Sequence, residues 1–199
     1  MGFGWFLTGY FFVSVMALFS PLAIAMLAGY PMMIFGLFRL APYHKYLRIT
    51  FFASFLSLPF AVYYAFYALS QYGVAVPAFF TGAAAQTVDW VYFVFVLLFS
   101  ILWMSAVAAL CGELGLVRLQ GNAWRNLIIL GVTTLVDLVA RLPVPFIVAH
   151  QGYFAVPVLL LRFIVVFLNG FLLFGCFHNI RPEGEITKRE VQPDKEGEK

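Results

Sequence analysis

Four residues in the C-terminal half of the chain have the chemistry either to hold a charged ligand or to lock two helices together. Asp137, Arg141, Arg162 and Asn169 all lie inside long apolar stretches. A carboxylate and a guanidinium four residues apart share one helix face and can pair there. Arg162 and Asn169 belong to the next apolar stretch, beyond a turn near His150-Gln151-Gly152. With the two stretches folded back to back, Arg141 and Arg162 fall at similar depth on neighbouring antiparallel helices. Asp137 is then about one turn deeper, within reach of either arginine. Asn169 is deeper still, opposite Thr133 and Thr134, where it extends a polar seam.

One aspartate against two arginines leaves a positive charge over. A charge at mid-helix costs roughly 2.5–3.5 kcal/mol on insertion scales, so the surplus needs a partner. One candidate is internal. Pro143 and Pro145 have no N–H and free the carbonyls of Val139 and Arg141, which can accept from Arg162. Alternatively the prolines end the helix at Leu142 and Arg141 snorkels to the interface. Either way the cluster is a helix-packing device. The other candidate is a ligand: a carboxylate or phosphate held by the surplus charge in a cavity open to the outside.

The elements that position these residues are apolar helices. Of 199 residues, 63% are hydrophobic and 11% charged, against about a quarter charged in soluble domains. Mean hydropathy is +0.94. Of twelve Lys and Arg and nine Asp and Glu, eleven fall in 181–199. That segment is polar and too poor in apolar residues to offset ordering entropy, which predicts a disordered tail. The organisation expected is one transmembrane domain, 1–180, followed by a cytoplasmic tail, 181–199.

Along the chain, Met1 to Phe38 carries no charge. As one helix it would be roughly 57 Å long, nearly twice the ~30 Å apolar core. A break at Ser20-Pro21 gives a hairpin of two short spans, about 3–19 and 22–39. A break at Gly29-Tyr30-Pro31 gives one span and an interfacial piece. The hairpin is the favoured reading. Further spans are expected at 49–70, kinked at Pro59, then from Asp89 to about Cys111, 124–148 and 155–179. Tyr63, Tyr64, Tyr67 and Tyr72 suit a headgroup-level aromatic belt. Gly131, Gly170 and Gly175 read as close helix contacts.

The fold class is therefore all-α: a polytopic transmembrane helical bundle of six spans, with five as the alternative. Ten of the twelve Lys and Arg lie in connectors 39–48 and 112–125 or in the tail, and none in loops 71–87 and 149–154. The positive-inside rule then places those connectors and the C-terminus in the cytoplasm of a cell membrane. The N-terminus lacks the positive region of a secretory signal, although Ala23-Ile24-Ala25 mimics a cleavage site.

Other chemistries find little support. The net charge of +3 is small and dispersed, which argues against nucleic acid. Cys111 and Cys176 have no metal or redox spacing and are expected as reduced thiols. Glu113, Arg118, His178 and Arg181 read as interfacial charges. Asp89, at the outer edge, and Asp137, mid-span, do not make a paired-aspartate protease. No phosphate loop, H-E-x-x-H or G-x-S-x-G occurs. No cofactor and no metal are expected, and the protein is read as not an enzyme.

The run Gly29-Tyr30 through Gly36-Leu37-Phe38-Arg39-Leu40-Ala41-Pro42-Tyr43, with the ending Cys176-Phe177-His178-Asn179-Ile180-Arg181-Pro182-Glu183-Gly184-Glu185, resembles a group of uncharacterised small multi-pass membrane proteins of Gram-positive bacteria. The resemblance covers two short patches. It implies a short N-terminal hairpin and an inside C-terminus, and no activity.

Two functions follow. The leading one is a non-enzymatic structural or interaction subunit whose partners are the bilayer and another membrane protein. The alternative is binding or transport of a small anionic solute at Asp137, Arg141, Arg162 and Asn169. In size alone the chain resembles the substrate-capturing components of vitamin importers. A cavity lined by the four residues favours the second function; dry helix contact around them favours the first.

Overall fold

The computed structural model describes residues 2–80, 82–142, 144–145 and 150–180. The tail from 181, Pro143 and residues 146–149 before the turn lie outside them. Among the described residues every regular element is helical: α1 (Gly2–Ser14), α2 (Met26–Leu40), α3 (Lys45–Ser54), α4 (Ser57–Gln71), α5 (Ala83–Glu113), α6 (Val117–Ala140) and α7 (Gln151–Asn179). Five segments are long and apolar enough to cross a membrane: Leu22–Leu40, Lys45–Gln71, Ala84–Glu113, Val117–Ala140 and Ala155–Asn179. The protein is a multi-pass membrane protein.

The N-terminal hairpin forms where proline dictates. Two short 3₁₀ turns, Met16–Leu18 and Ser20–Ala25, separate α1 from α2. Phe19 between them is extended (φ −108°, ψ 107°), and Ser20-Pro21 open the second turn. Gly29-Tyr30-Pro31 does not break the chain; Pro31 sits inside α2. The sixth helix of the sequence reading is thus present, but α1 has only thirteen residues, short of the ~20 that span the apolar core.

Glycine lets α1 and α2 touch. A Cβ on Gly9 would lie 2.5 Å from the Gly29 carbonyl oxygen, and one on Gly36 would lie 2.6 Å from the Phe6 nitrogen. No side chain fits there. The glycines expected at contacts behave differently: nothing lies within 4 Å of a Cβ on Gly131 or Gly170, and only Gly175 is tight, against Leu119.

Pro59 acts one turn upstream of itself. Its ring excludes the carbonyl four residues back, that of Phe55, and the helix divides into α3 and α4 at Phe55-Leu56. Buried Thr50, Ser54 and Ser57 bond the carbonyls of Tyr46, Phe51 and Ser54 around that division.

The connector expected at 112–125 shrinks to one tight turn. Gly115 adopts φ +68° and α6 begins at Val117, running through Gly121-Asn122 to Ala140. A helix displaced in this way puts Asp137 in its last turn rather than at its middle.

The helices close a ring. α1 packs on α2, α2 on α3 and α4, α3 on α5, α5 on α6, α6 on α7, and α7 returns to α1. The interior differs between the two ends. At the end of the 41–44 and 114–116 turns it is solid: Phe6, Leu37, Trp103, Met104, Val107, Leu173, Cys111 and Cys176 are essentially inaccessible. Trp103 meets the rings of Phe6 and Tyr10 edge-on at 5.5 and 5.8 Å. At the end of Tyr72 and Gly82 the ring surrounds a cavity. Outward-facing Phe38, Phe52, Ile128, Phe167 and Phe171 are exposed, as a lipid-facing surface requires.

Candidate functional site

Asp137 is the hub of the polar interior. Its position in the last turn of α6 aims the carboxylate back toward α7, and it is only 7% exposed. Oδ1 accepts from Arg141 Nε at 3.3 Å, the pairing that the four-residue spacing dictates. Oδ2 accepts from Arg162 on α7 at 2.6 Å. Both arginines therefore share one carboxylate, an oxygen each.

The partner for the remaining charge is Asp89. Arg141 caps α6, and from there its Nη1 donates to Asp89 Oδ2 on α5 at 2.6 Å. Its guanidinium also lies over the Phe93 and Trp90 rings, 4.9 and 5.9 Å from their centroids. Asp89 accepts in addition from the Tyr64 hydroxyl of α4 at 3.0 Å. The resulting row, Arg162–Asp137–Arg141–Asp89, alternates in sign and sums to zero. Arg162 meets Asp137 rather than the carbonyls freed by proline; the Val139 carbonyl accepts from the Leu142 N–H instead.

A helix opening at Asp89 would set that residue at a different depth from Asp137. α5 in fact begins at Ala83, which carries Asp89 into the second turn of the helix. Arg141, at the end of α6, bridges the two carboxylates. The tyrosine belt is likewise partly internal. Tyr64 faces Asp89, and Tyr63 is buried with its hydroxyl on the Phe80 carbonyl at 3.3 Å. Tyr72 is exposed, as a headgroup ring should be.

A second polar group lies toward the solid end. Asn169 Nδ2 donates to the Tyr10 hydroxyl at 3.0 Å, and its Oδ1 accepts from Asn126 Nδ2 at 3.3 Å. Asn126 also donates to the Leu168 carbonyl at 2.9 Å. Asn169 thus ties α1, α6 and α7 together. Thr133 and Thr134 do not bond it; they return their hydroxyls to the Ile129 and Leu130 carbonyls of their own helix. Tyr10 and Asn126 carried no signal in the sequence, where nothing marks α1 as adjacent to α7.

Between the two groups lies a cavity of about 300 Å³. Asp137, Arg141, Arg162 and Asn169 all line it, as do Asp89, Tyr64 and Tyr10. Thr133, Thr134, Ser14 and Ser100 add hydroxyls, and the rest of the wall is mainly aliphatic and aromatic. Convergent polar groups set in an apolar wall characterise small-molecule sites; polar groups are numerous here, and the volume is at the small end of that class.

Comparison with family models, with curated proteins and with solved structures gave no match. At the opposite end, Glu113 meets His44, 3.3 Å from its Nε2. His44 caps α3 with Nδ1 accepting from the Tyr46 N–H. Arg181 lies outside the described residues.

Proposed function

We propose that this membrane protein binds a small hydrophilic solute in the cavity between its helices, as a solute-binding or transport unit rather than an enzyme. The observation that carries this reading is the cavity itself, lined by the four residues whose types and spacing suggested a ligand. A cluster that served only to pin helices would be expected in dry contact on all sides. The cationic surplus that pointed to an anion is offset by Asp89, so the solute need not carry net negative charge.

Orientation belongs to the same proposal. Arg39, Lys45, Arg48, Arg118 and Arg125 all lie toward the solid end. By the positive-inside rule that end is cytoplasmic and the cavity is at the outer side.

One observation favours the structural alternative, a subunit that uses the ion pairs for packing: each of the four charges already has a partner of opposite sign. Gentle extraction from native membranes followed by native mass spectrometry separates the two readings. Solute binding is supported by a small-molecule adduct on the wild type that is absent from a folded Arg162→Ala variant. The packing reading is supported by an adduct-free wild type together with a lower Tm for Arg162→Ala.

A further inference from the structure

We infer that the ligand is a zwitterion whose anionic group docks on Arg162 and whose ammonium group docks on Asp89. This rests on the solute-binding reading above and specifies its chemistry.

The inference comes from the order of charges in the row. Its inner members are the more enclosed: the side chains of Asp137 and Arg141 are 10% and 25% exposed. Its ends are the more open, Arg162 at 37% and Asp89 at 49%. Each inner member is held by two opposite charges, whereas each end has one. The cavity therefore presents one accessible cation and one accessible anion, joined by a neutralised pair.

Binding a lone anion at Arg162 would leave an uncompensated negative charge in an apolar surround, and a lone cation at Asp89 the converse. Charges left unbalanced in such a place are expensive. A molecule carrying both signs adds charge-assisted hydrogen bonds at each end and leaves the total at zero. The wall near Asp89 suits an ammonium, since Tyr64 and Tyr92 also line the cavity and aromatic faces attract cations. Three ion-pair contacts of 2.6, 3.3 and 2.6 Å in series separate the ends. The two charges of the ligand must be several bonds apart, as in a dipeptide or a phosphoethanolamine headgroup. Val13, Leu18, Val96 and Val165 provide an apolar wall for whatever the charges flank.

The test uses the full chain in nanodiscs of phosphatidylglycerol, which contain no zwitterionic lipid. Thermal shifts are measured with alanyl-alanine, with glycerophosphoethanolamine, and with two singly charged controls, N-acetyl-alanyl-alanine and alanyl-alanine amide. A shift with either zwitterion and none with the controls supports the assignment, and the zwitterion that acts tells a free solute from a lipid headgroup. Asp89→Asn and Arg162→Gln should each weaken apparent affinity at least tenfold; Asp89, the more exposed, is the variant that keeps the fold. Equal shifts with a control overturn the assignment and leave the cavity reading intact. No shift with any probe also overturns it. In that case, labelling of Thr134→Cys by a membrane-impermeant thiol reagent decides the rest: a labelled cavity means the zwitterion assignment alone fails, and an unlabelled one sinks the solute-binding reading with it.

Discussion

Asp137 holds two arginines on one carboxylate, so its loss leaves Arg162 without a carboxylate and Arg141 with Asp89 alone, whereas loss of Asp89 leaves both arginines paired to Asp137. Breaking a buried pair from one side costs about 3–5 kcal/mol, and an exposed one about 1 kcal/mol or less. Asp137→Asn is therefore expected to lower Tm in detergent far more than Asp89→Asn. Equal losses would mean that the row is not organised around Asp137. At the same scale, Tyr64→Phe removes only the hydroxyl that Asp89 accepts. It should cost roughly 0.5–1.5 kcal/mol if the bond is made as described, read as a small fall in Tm.

At the scale of elements, α1 and α2 approach each other backbone to backbone. Gly9 and Gly36 sit where a Cβ would meet backbone atoms at 2.5–2.6 Å. Backbone cannot yield as a side-chain tip can, so Gly9→Val should separate the hairpin and unfold the N-terminal end. Gly131→Ala and Gly170→Ala face open space and should leave Tm unchanged or slightly higher, because alanine favours helix by up to about 1 kcal/mol. Thermal unfolding of the three variants side by side checks this. The contrast also shows what a glycine in a sequence conveys. Each of these glycines lies in an apolar helix, but which ones meet a neighbour depends on helix rotation, and rotation is set by partners distant in the chain.

At the scale of the whole molecule, the closed ring is solid at one end and hollow at the other. Under the proposed orientation the hollow end faces outward. The interior on the other side is sealed by the Trp103 core and by Asn169, which donates to Tyr10 and accepts from Asn126. A membrane-impermeant thiol reagent should then label Thr134→Cys from outside and not from the cytoplasm. Cys111 and Cys176, both fully buried with their Sγ atoms 3.9 Å apart, should resist it from either side. Labelling of Thr134→Cys from the cytoplasmic side alone would reverse the orientation.

The membrane class, the all-α fold, the break before Pro21 and the pairing of Asp137 with Arg141 were all legible in the chain itself. Each depends on local properties: runs of apolar residues, a missing N–H, a four-residue spacing on one helix. The α6 boundaries are not legible there, because Gly121-Asn122 resembles a loop, yet the helix runs through it and turns only at Gly115. That displacement moved Asp137 to a helix end. Only the tertiary structure decided the rest: that Asp89 completes the charge row, that Tyr10 reaches Asn169 from the far end of the chain, and that a cavity lies between them. Those relations join residues 52 to 159 positions apart. Helix packing creates them, and no periodicity within a single helix encodes its neighbours.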